Sequence, residues 1–212
     1  MRGPYRIRRL GKSDRSSFIS VIIAAFAQDP LFLEVFGDAA TDPKAKAEAL
    51  RFVNFMFAKS FLLSEEAWGL FDGYRLLGVY IIEVPEQAVL RKISKAFVLA
   101  APLIRWMIGA SLRALLHLNE YMKLTRSQAP AEPHGYLIMI GVAPEAQGNG
   151  IGKTLLQHLL GRCEDNPAIN AIALDTENER NVRLYEKMGF VLEAQIKLRE
   201  LPIYCMRYNL PT

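Results

Sequence analysis

Val142-Ala143-Pro144-Glu145-Ala146-Gln147-Gly148-Asn149-Gly150-Ile151-Gly152-Lys153-Thr154 is the stretch on which the reading of this chain turns. Before it, Tyr136–Val142 is an apolar run that reads as a strand, stopped by Pro144. After it, Ile151, Leu155, Leu159 and Cys163 recur every four residues, which reads as a helix from about Gly150 to Cys163. Between the two, Gly148, Gly150 and Gly152 allow left-handed backbone angles and close approach to the main chain. A helix start carries N–H groups with no intrahelical acceptor and a partial positive charge. Strand, glycine loop and helix start together make an anion site, most naturally for phosphate.

Two nucleotide-binding patterns fail on single positions. A Walker loop ending in Gly152-Lys153-Thr154 requires glycine at 147, where this chain has Gln147. The dinucleotide fingerprint, begun at Gly148 and Gly150, needs its third glycine where Lys153 stands; begun at Gly150 and Gly152, it falls on Leu155.

A second segment narrows the ligand. It reads Leu174-Asp175-Thr176-Glu177-Asn178-Glu179-Arg180-Asn181-Val182-Arg183-Leu184-Tyr185-Glu186-Lys187-Met188-Gly189-Phe190. Ile169–Leu174 reads as a strand and Glu179–Met188 as a helix ended by Gly189. Asn181 and Tyr185 are four apart and share one helix face. Asparagine brings an amide donor and acceptor, and tyrosine a phenol of pKa about 10, matched to protonating a departing thiolate.

Gln147-x-x-Gly150-x-Gly152 resembles the acetyl-CoA motif of the GCN5-related N-acetyltransferases, and Asn181 to Phe190 resembles their N-x-x-x-Y-E-K-x-G-F segment. Phe26-Ala27-Gln28-Asp29-Pro30 and Gly135-Tyr136 are similar to the branch that includes puromycin-type acetyltransferases. The resemblance implies a mixed α/β fold: a mostly antiparallel sheet with splayed strands, helices on both faces, and a helical insertion before the cofactor-binding strand. It implies acetyl-CoA as co-substrate and direct attack of an amine on the thioester. Ile140, Gly141 and Val142 would meet the pantetheine arm, with the Val142 N–H on the thioester oxygen. Backbone N–H groups of Gln147, Gly148, Asn149, Gly150, Ile151, Gly152 and Lys153, with Thr154 beside them, would hold the pyrophosphate. Thr176 and Asn181 would contact the cofactor arm, and Tyr185 would protonate the leaving thiolate. Asp29 and Glu34 fall in the loop that often lines the acceptor site, suited to a cationic amine. Several relatives keep a carboxylate in the strand, whereas Tyr136–Val142 has none. Glu83 and His134 are the candidate bases. The acceptor is a small-molecule or peptide amine, and a homodimer is compatible with the family. A non-catalytic acyl-CoA-binding or sensor domain is the alternative.

Outward from these segments, Tyr5–Leu10 suits an edge strand. Ser13-Asp14 resembles a helix cap before Phe18, Val21, Ile22, Ala25 and Phe26, and Asp29-Pro30 ends that helix. A second helix runs from about Pro43 to Leu63. Asp72-Gly73 joins Ala67–Phe71 to Leu76–Val84 as a hairpin. Residues 86 to 126 read as helix broken near Pro102, with Ile104, Ile108, Leu112, Leu115, Leu118 and Met122 on one apolar face. Arg91, Lys92, Lys95, Arg105, Arg113, Lys123 and Arg126 make its other side basic, suited either to a membrane or to packing on the domain with that face in water; the second is the expectation. Phe190–Ile196 and Ile203–Tyr208 are final strands.

The element order implies one domain over residues 1–212, with an insertion at about 86–126, built on a mixed sheet rather than a doubly wound one. At 212 residues and 51% hydrophobic content the chain can bury a sizeable core. A net charge of +4 favours anionic ligands weakly, without the zinc knuckle or compact basic run of a nucleic-acid binder, so no nucleic-acid partner is expected. No metal-ligand spacing is present, so no metal is expected. Cys163 and Cys205, distant in sequence, read as buried free thiols. The N-terminus lacks an apolar signal region, and Arg105 and Arg113 interrupt the most apolar stretch, Ala96–Leu118. A cytoplasmic protein with no transmembrane segment is expected.

Overall fold

The computed structural model describes residues 5–62, 65–85 and 110–211. Its centre is the expected hairpin: β2 (Glu66–Asp72) and β3 (Arg75–Glu83) turn at Asp72-Gly73 and pair antiparallel. β1 (Arg6–Arg9) adds to β2, and β4 (His134–Val142) pairs antiparallel with the far edge of β3. β5 (Ala171–Thr176) then lies parallel to β4, the sheet's one parallel pairing among the described residues. β6 (Val191–Leu198) and β7 (Leu201–Asn209) close the chain, giving the order β1-β2-β3-β4-β5-β7-β6.

Helices cover both faces. α1 (Arg15–Ala25) and α3 (Pro43–Leu62) lie together on one, joined by Phe18 and Phe57 with ring centroids 5.0 Å apart. α5 (Ile151–Glu164) packs on the other and crosses from β4 to β5. Two glycines let the helices come close. A Cβ at Gly78 in β3 would meet Leu155 of α5 at 2.9 Å, and one at Gly141 in β4 would meet Ile22 of α1 at 3.0 Å. Gly141 pairs with Val79, the neighbour of Gly78, so the two approaches are on opposite faces of the sheet.

Two expectations need correction. Asp29-Pro30 does more than end a helix: it opens another, α2 (Pro30–Phe36). Asp29 sits in extended backbone and its side chain accepts from the Phe32 N–H at 3.1 Å, with proline in the first turn. Asp29 and Glu34 therefore belong to a capped helix, not a loop. Within the expected 86–126 helix, α4 (Leu112–Arg126) is described; the break near Pro102, the apolar residues Ile104 and Ile108, and Arg91, Lys92, Lys95 and Arg105 lie outside the described residues. Along α4 the buried stripe is Ala114, His117, Leu118, Tyr121 and Thr125, while Leu112 and Met122 are 70% and 55% exposed. The helix is rotated away from the purely apolar face because Tyr121 finds carboxyl partners on and just beyond β5.

Among the described residues no single helix is long and apolar enough to cross a membrane. The apolar pair Lys12–Ala25 and Pro30–Phe36 bends by 98° and buries Phe18, Ile22 and Phe32 in the core. Cys163 and Cys205 are buried and free. His158, on α5, accepts from or donates to the Tyr80 hydroxyl at 2.8 Å, which ties α5 to β3.

Candidate active site

β4 and β5 run side by side only from His134↔Ala171 to Leu137↔Leu174. Beyond that register β4 continues to Val142 still paired to β3, while β5 ends at Thr176 against β7. The two strands therefore part, and the backbone of β4 past Leu137 faces an opening instead of a neighbour. The Ala143 N–H donates to Leu77 O on β3 at 2.8 Å. By strand alternation the Val142 N–H stands on the opposite edge, toward the opening.

A cleft of about 320 Å³ fills this gap. Its strand walls are Leu137–Ile140 on one side and Leu174–Glu177 on the other. Tyr185 and Asn181 of α6 (Glu179–Lys187) line it together, as their four-residue spacing predicts. The Asn181 amide donates to the Thr176 hydroxyl at 3.3 Å, fixing the start of α6 against the end of β5. The remaining wall is apolar and aromatic: Phe26, Phe32, Phe52, Phe55, Met56 and Leu118. Phe32 holds this wall together, its ring 4.9 Å from Phe26 and 5.9 Å from Phe52.

Among the described residues three carboxyl groups enter this mostly apolar cleft: Asp29, Asp175 and Glu177. The Tyr121 hydroxyl hydrogen-bonds to both Asp175 Oδ2 and Glu177 Oε1, and the Tyr136 hydroxyl donates to Asp175 Oδ1. Burial pushes Asp175 up. Burial first, and then the neighbouring Asp175 charge, pushes Glu177 up to about 8. Burial also raises Asp29, against the N–H groups of Phe32 and Leu31 that favour its charged form. For Tyr185, burial and then the charges of Asp175, Glu177 and Asp29 lift the phenol far above its ordinary value, so it keeps its proton at neutral pH. The two cations that line the cleft among the described residues are already paired. Lys59 meets Glu65, and Arg126 donates to Glu83 at 2.6 Å while stacking 3.8 Å over the Tyr136 ring.

The glycine loop stands at the end of β4. Gly148 and Gly150 adopt φ of 76° and 77°, and Gly150 is the left-handed residue that starts α5. The first bond closing α5 runs from the Thr154 N–H to Gly150 O at 2.9 Å, so the N–H groups of Ile151, Gly152 and Lys153 precede any intrahelical acceptor. The Gln147 side chain donates to Val142 O at 3.1 Å and ties the loop to the strand. One expected donor is used internally: the Gln147 N–H bonds Pro144 O at 3.2 Å. The anion cradle therefore starts beyond Gln147. The Thr154 hydroxyl also turns back to Gly150 O, at 3.1 Å.

The structure thus gathers Ile140, Thr176, Asn181, Tyr185 and Asp29 around one cleft, with Gly141, Val142 and the loop to Thr154 leading from it. It places the other three candidates elsewhere. Glu83 ends β3 in its ion pair with Arg126. His134 starts β4 at the far end from the splay, its Nδ1 2.9 Å from Glu132 O. Glu34 borders a separate hollow with Arg113, its carboxylate 3.9 Å from His117 Nδ1. Sequence reading passed over Tyr121, Asp175 and Glu177. Asp175 and Glu177 flank Thr176 at the alternate positions of a strand end, which was the available signal. Tyr121 lay inside a helix read as one apolar face and one basic side, on neither of which it was placed.

A model of the acetyltransferase (GNAT) family matches residues 103–190, the region that holds both motifs. Over 73 residues, 34% of the chain, the sequence is 38% identical to a mycothiol acetyltransferase of Paenarthrobacter aurescens (strain TC1). The match spans 22% of that relative's length. A solved structure from Corynebacterium glutamicum, described as histone acetyltransferase HPA2 and related acetyltransferase, superposes with a TM-score of 0.69 over 98% of this chain and 97% of that one, at 22% identity. A putative acetyltransferase from Salmonella typhimurium, solved with its cofactor acetyl-CoA, gives 0.56 over 99% and 96%, at 16% identity. The family model thus spans both motifs, and the chain shares the fold of these acetyltransferase structures.

Proposed function

We propose that this protein is an acetyl-CoA-dependent N-acetyltransferase whose acceptor is a primary amine with an apolar body. The carrying observation is the cleft at the β4–β5 splay, which joins an open strand edge and a glycine-capped helix start to an aromatic chamber holding three carboxyl groups. These residues fit the co-substrate. The edge of β4 past Leu137 offers backbone groups for the amides of a pantetheine arm. The first N–H groups of α5 suit a pyrophosphate, with no Cβ at Gly148 or Gly150 to obstruct it. Bound acetyl-CoA would supply the activated acyl thioester.

The chain's own groups then have distinct tasks. The Val142 N–H donates to the oxygen on which negative charge develops as the amine attacks. Tyr185, protonated at neutral pH, delivers its proton to the departing sulfur. Phe26, Phe32, Phe52 and Phe55 exclude water and receive the apolar part of the acceptor, while the carboxyl groups draw in its ammonium. A peptide N-terminus with charged flanking residues suits this chamber less well than a small hydrophobic amine.

The test is thiol release from acetyl-CoA against a panel of primary amines, peptides and antibiotics. Tyr185→Phe should lower kcat about 10²-fold or more with acetyl-CoA binding retained. Undiminished thioester cleavage in that variant would remove Tyr185 from the mechanism. Acetyl-CoA binding without turnover of any amine would favour a sensor domain.

A further inference from the structure

Attack by an amine needs a group that takes its proton, and among the described residues the cleft offers three carboxyl candidates. Asp29 is engaged as the cap of α2. Asp175 receives Tyr121 and Tyr136, one phenol on each oxygen. Glu177, buried to 9% exposure, lines the cleft and is held at Oε1 by Tyr121.

The contacts separate the last two: Asp175 carries a phenol on both oxygens, Glu177 on one, and one phenol proton is shared between them. The Tyr121 hydroxyl has one proton but meets two carboxyl groups. If both are ionised, one carboxylate oxygen faces the phenol's lone pairs in a buried site, which favours uptake of one proton by the pair. A single added proton satisfies every contact. With it on Glu177, Glu177 donates to Tyr121, Tyr121 donates to Asp175, and Tyr136 donates to Asp175 from the other side. When Glu177 loses that proton, the Tyr121 hydroxyl swings its own proton toward Glu177; Asp175 keeps Tyr136 on Oδ1 but loses the donor on Oδ2, and that cost is what makes Glu177 regain a proton readily. The chain thus accepts and releases one proton by rotating one hydroxyl.

Resting on the reading above, we propose that Glu177 is the general base for the acceptor amine, with Tyr121, Asp175 and Tyr136 as the positioning residues that let it change charge in place. The groups facing it are Asp175 of β5, Tyr121 of α4, Asp29 at the start of α2 and Tyr185 of α6. Ionised Glu177 takes one proton from the bound ammonium. The freed nitrogen forms a C–N bond with the thioester carbon. Collapse of the adduct breaks the C–S bond, and Tyr185 protonates the sulfur. The second nitrogen proton returns to the Tyr185 phenolate. Glu177 then gives its proton to water, so one proton leaves per turnover. The elevated Glu177 pKa places its charge change in the range where an amine is deprotonated for attack.

The experiment uses the full chain, the amine most active in thiol release, and kcat/KM measured from pH 6 to pH 9.5. Wild type should rise along a basic limb. Glu177→Gln should lose about 10²–10³-fold in kcat and lose the limb, with acetyl-CoA affinity within twofold by titration calorimetry. That retained affinity also reports folding. Tyr121→Phe removes the donor to the ionised carboxylate, so the limb should move to higher pH while the plateau rate largely survives. Glu83→Gln and His134→Gln should leave the limb in place. An active wild type with a Glu177→Gln variant that keeps both rate and limb overturns this assignment alone. A limb lost in Glu83→Gln or His134→Gln overturns it as well. A wild type that binds acetyl-CoA yet acetylates no amine overturns the enzymatic reading, and this assignment with it.

Discussion

A carboxyl group held above its ordinary pKa by burial leaves a mark on stability as well as on chemistry. Native Glu177 keeps its proton up to about pH 8, whereas an unfolded glutamate loses it near pH 4.3. Between those values the native state binds more protons than the unfolded one. The contribution of Glu177 is therefore full below the unfolded pKa and is lost as pH rises through the native one. Thermal unfolding should show this as a fall in wild-type Tm from pH 5 to pH 9 that is shallower in Glu177→Gln. A Tm difference between the two that stays constant with pH would mean that Glu177 titrates normally. The same burial would have opposite uses in the proposed mechanism: it keeps Tyr185 protonated as a donor and brings the charge change of Glu177 near neutrality.

Among the elements, helix starts position most of the site. Asp29 caps α2 and lines the cleft, so its substitutions separate structure from charge. Asp29→Ala should cost about 1 kcal/mol in urea unfolding, while Asp29→Asn, which still accepts from the Phe32 N–H, should cost little. Equal losses in the two would show that the charge, not the cap, stabilises α2. Two glycines of the α5 region make a second contrast. A Cβ at either Gly150 or Gly161 would meet nothing within 4 Å. Gly150 has φ of 77°, whereas Gly161 lies inside the helix. Gly150→Ala should therefore destabilise by about 1–2 kcal/mol and Gly161→Ala should stabilise by about 0.5–1 kcal/mol. Denaturant midpoints with the same sign would contradict this reading of the loop. Elements were the level at which sequence served best. Asp72-Gly73, Pro43 and the four-residue repeat of α5 are local signals, and each marks a boundary within a residue or two of where it falls. α2 was missed because Asp29-Pro30 reads equally as a helix end and as a helix cap. The choice between them rests on how Phe32 and Val35 pack in the folded chain, which the dipeptide does not encode.

At the scale of the whole molecule, the cleft exists because β4 and β5 stop pairing at Leu137↔Leu174 while each stays bound on its other edge. That geometry depends on α1 lying close over β4, which Gly141 permits. Gly141→Val should cost about 1–3 kcal/mol by overpacking against Ile22, Ala25 and Phe26, and should weaken acetyl-CoA binding because β4 carries the open edge. A folded variant of wild-type stability would show that α1 yields without disturbing the strand. The sequence by itself determined the strand–glycine-loop–helix unit and the Asn181–Tyr185 face, because glycine placement, capping and helical period act over a few residues. Only the tertiary structure decided the buried carboxyl–phenol cluster of the cleft. Tyr121 meets Asp175 and Glu177 across 54 and 56 residues of chain. Whether such groups meet depends on the register of β5 and the rotation of α4 about its axis. Both are settled by simultaneous packing against many neighbours, and no local pattern in the chain encodes them.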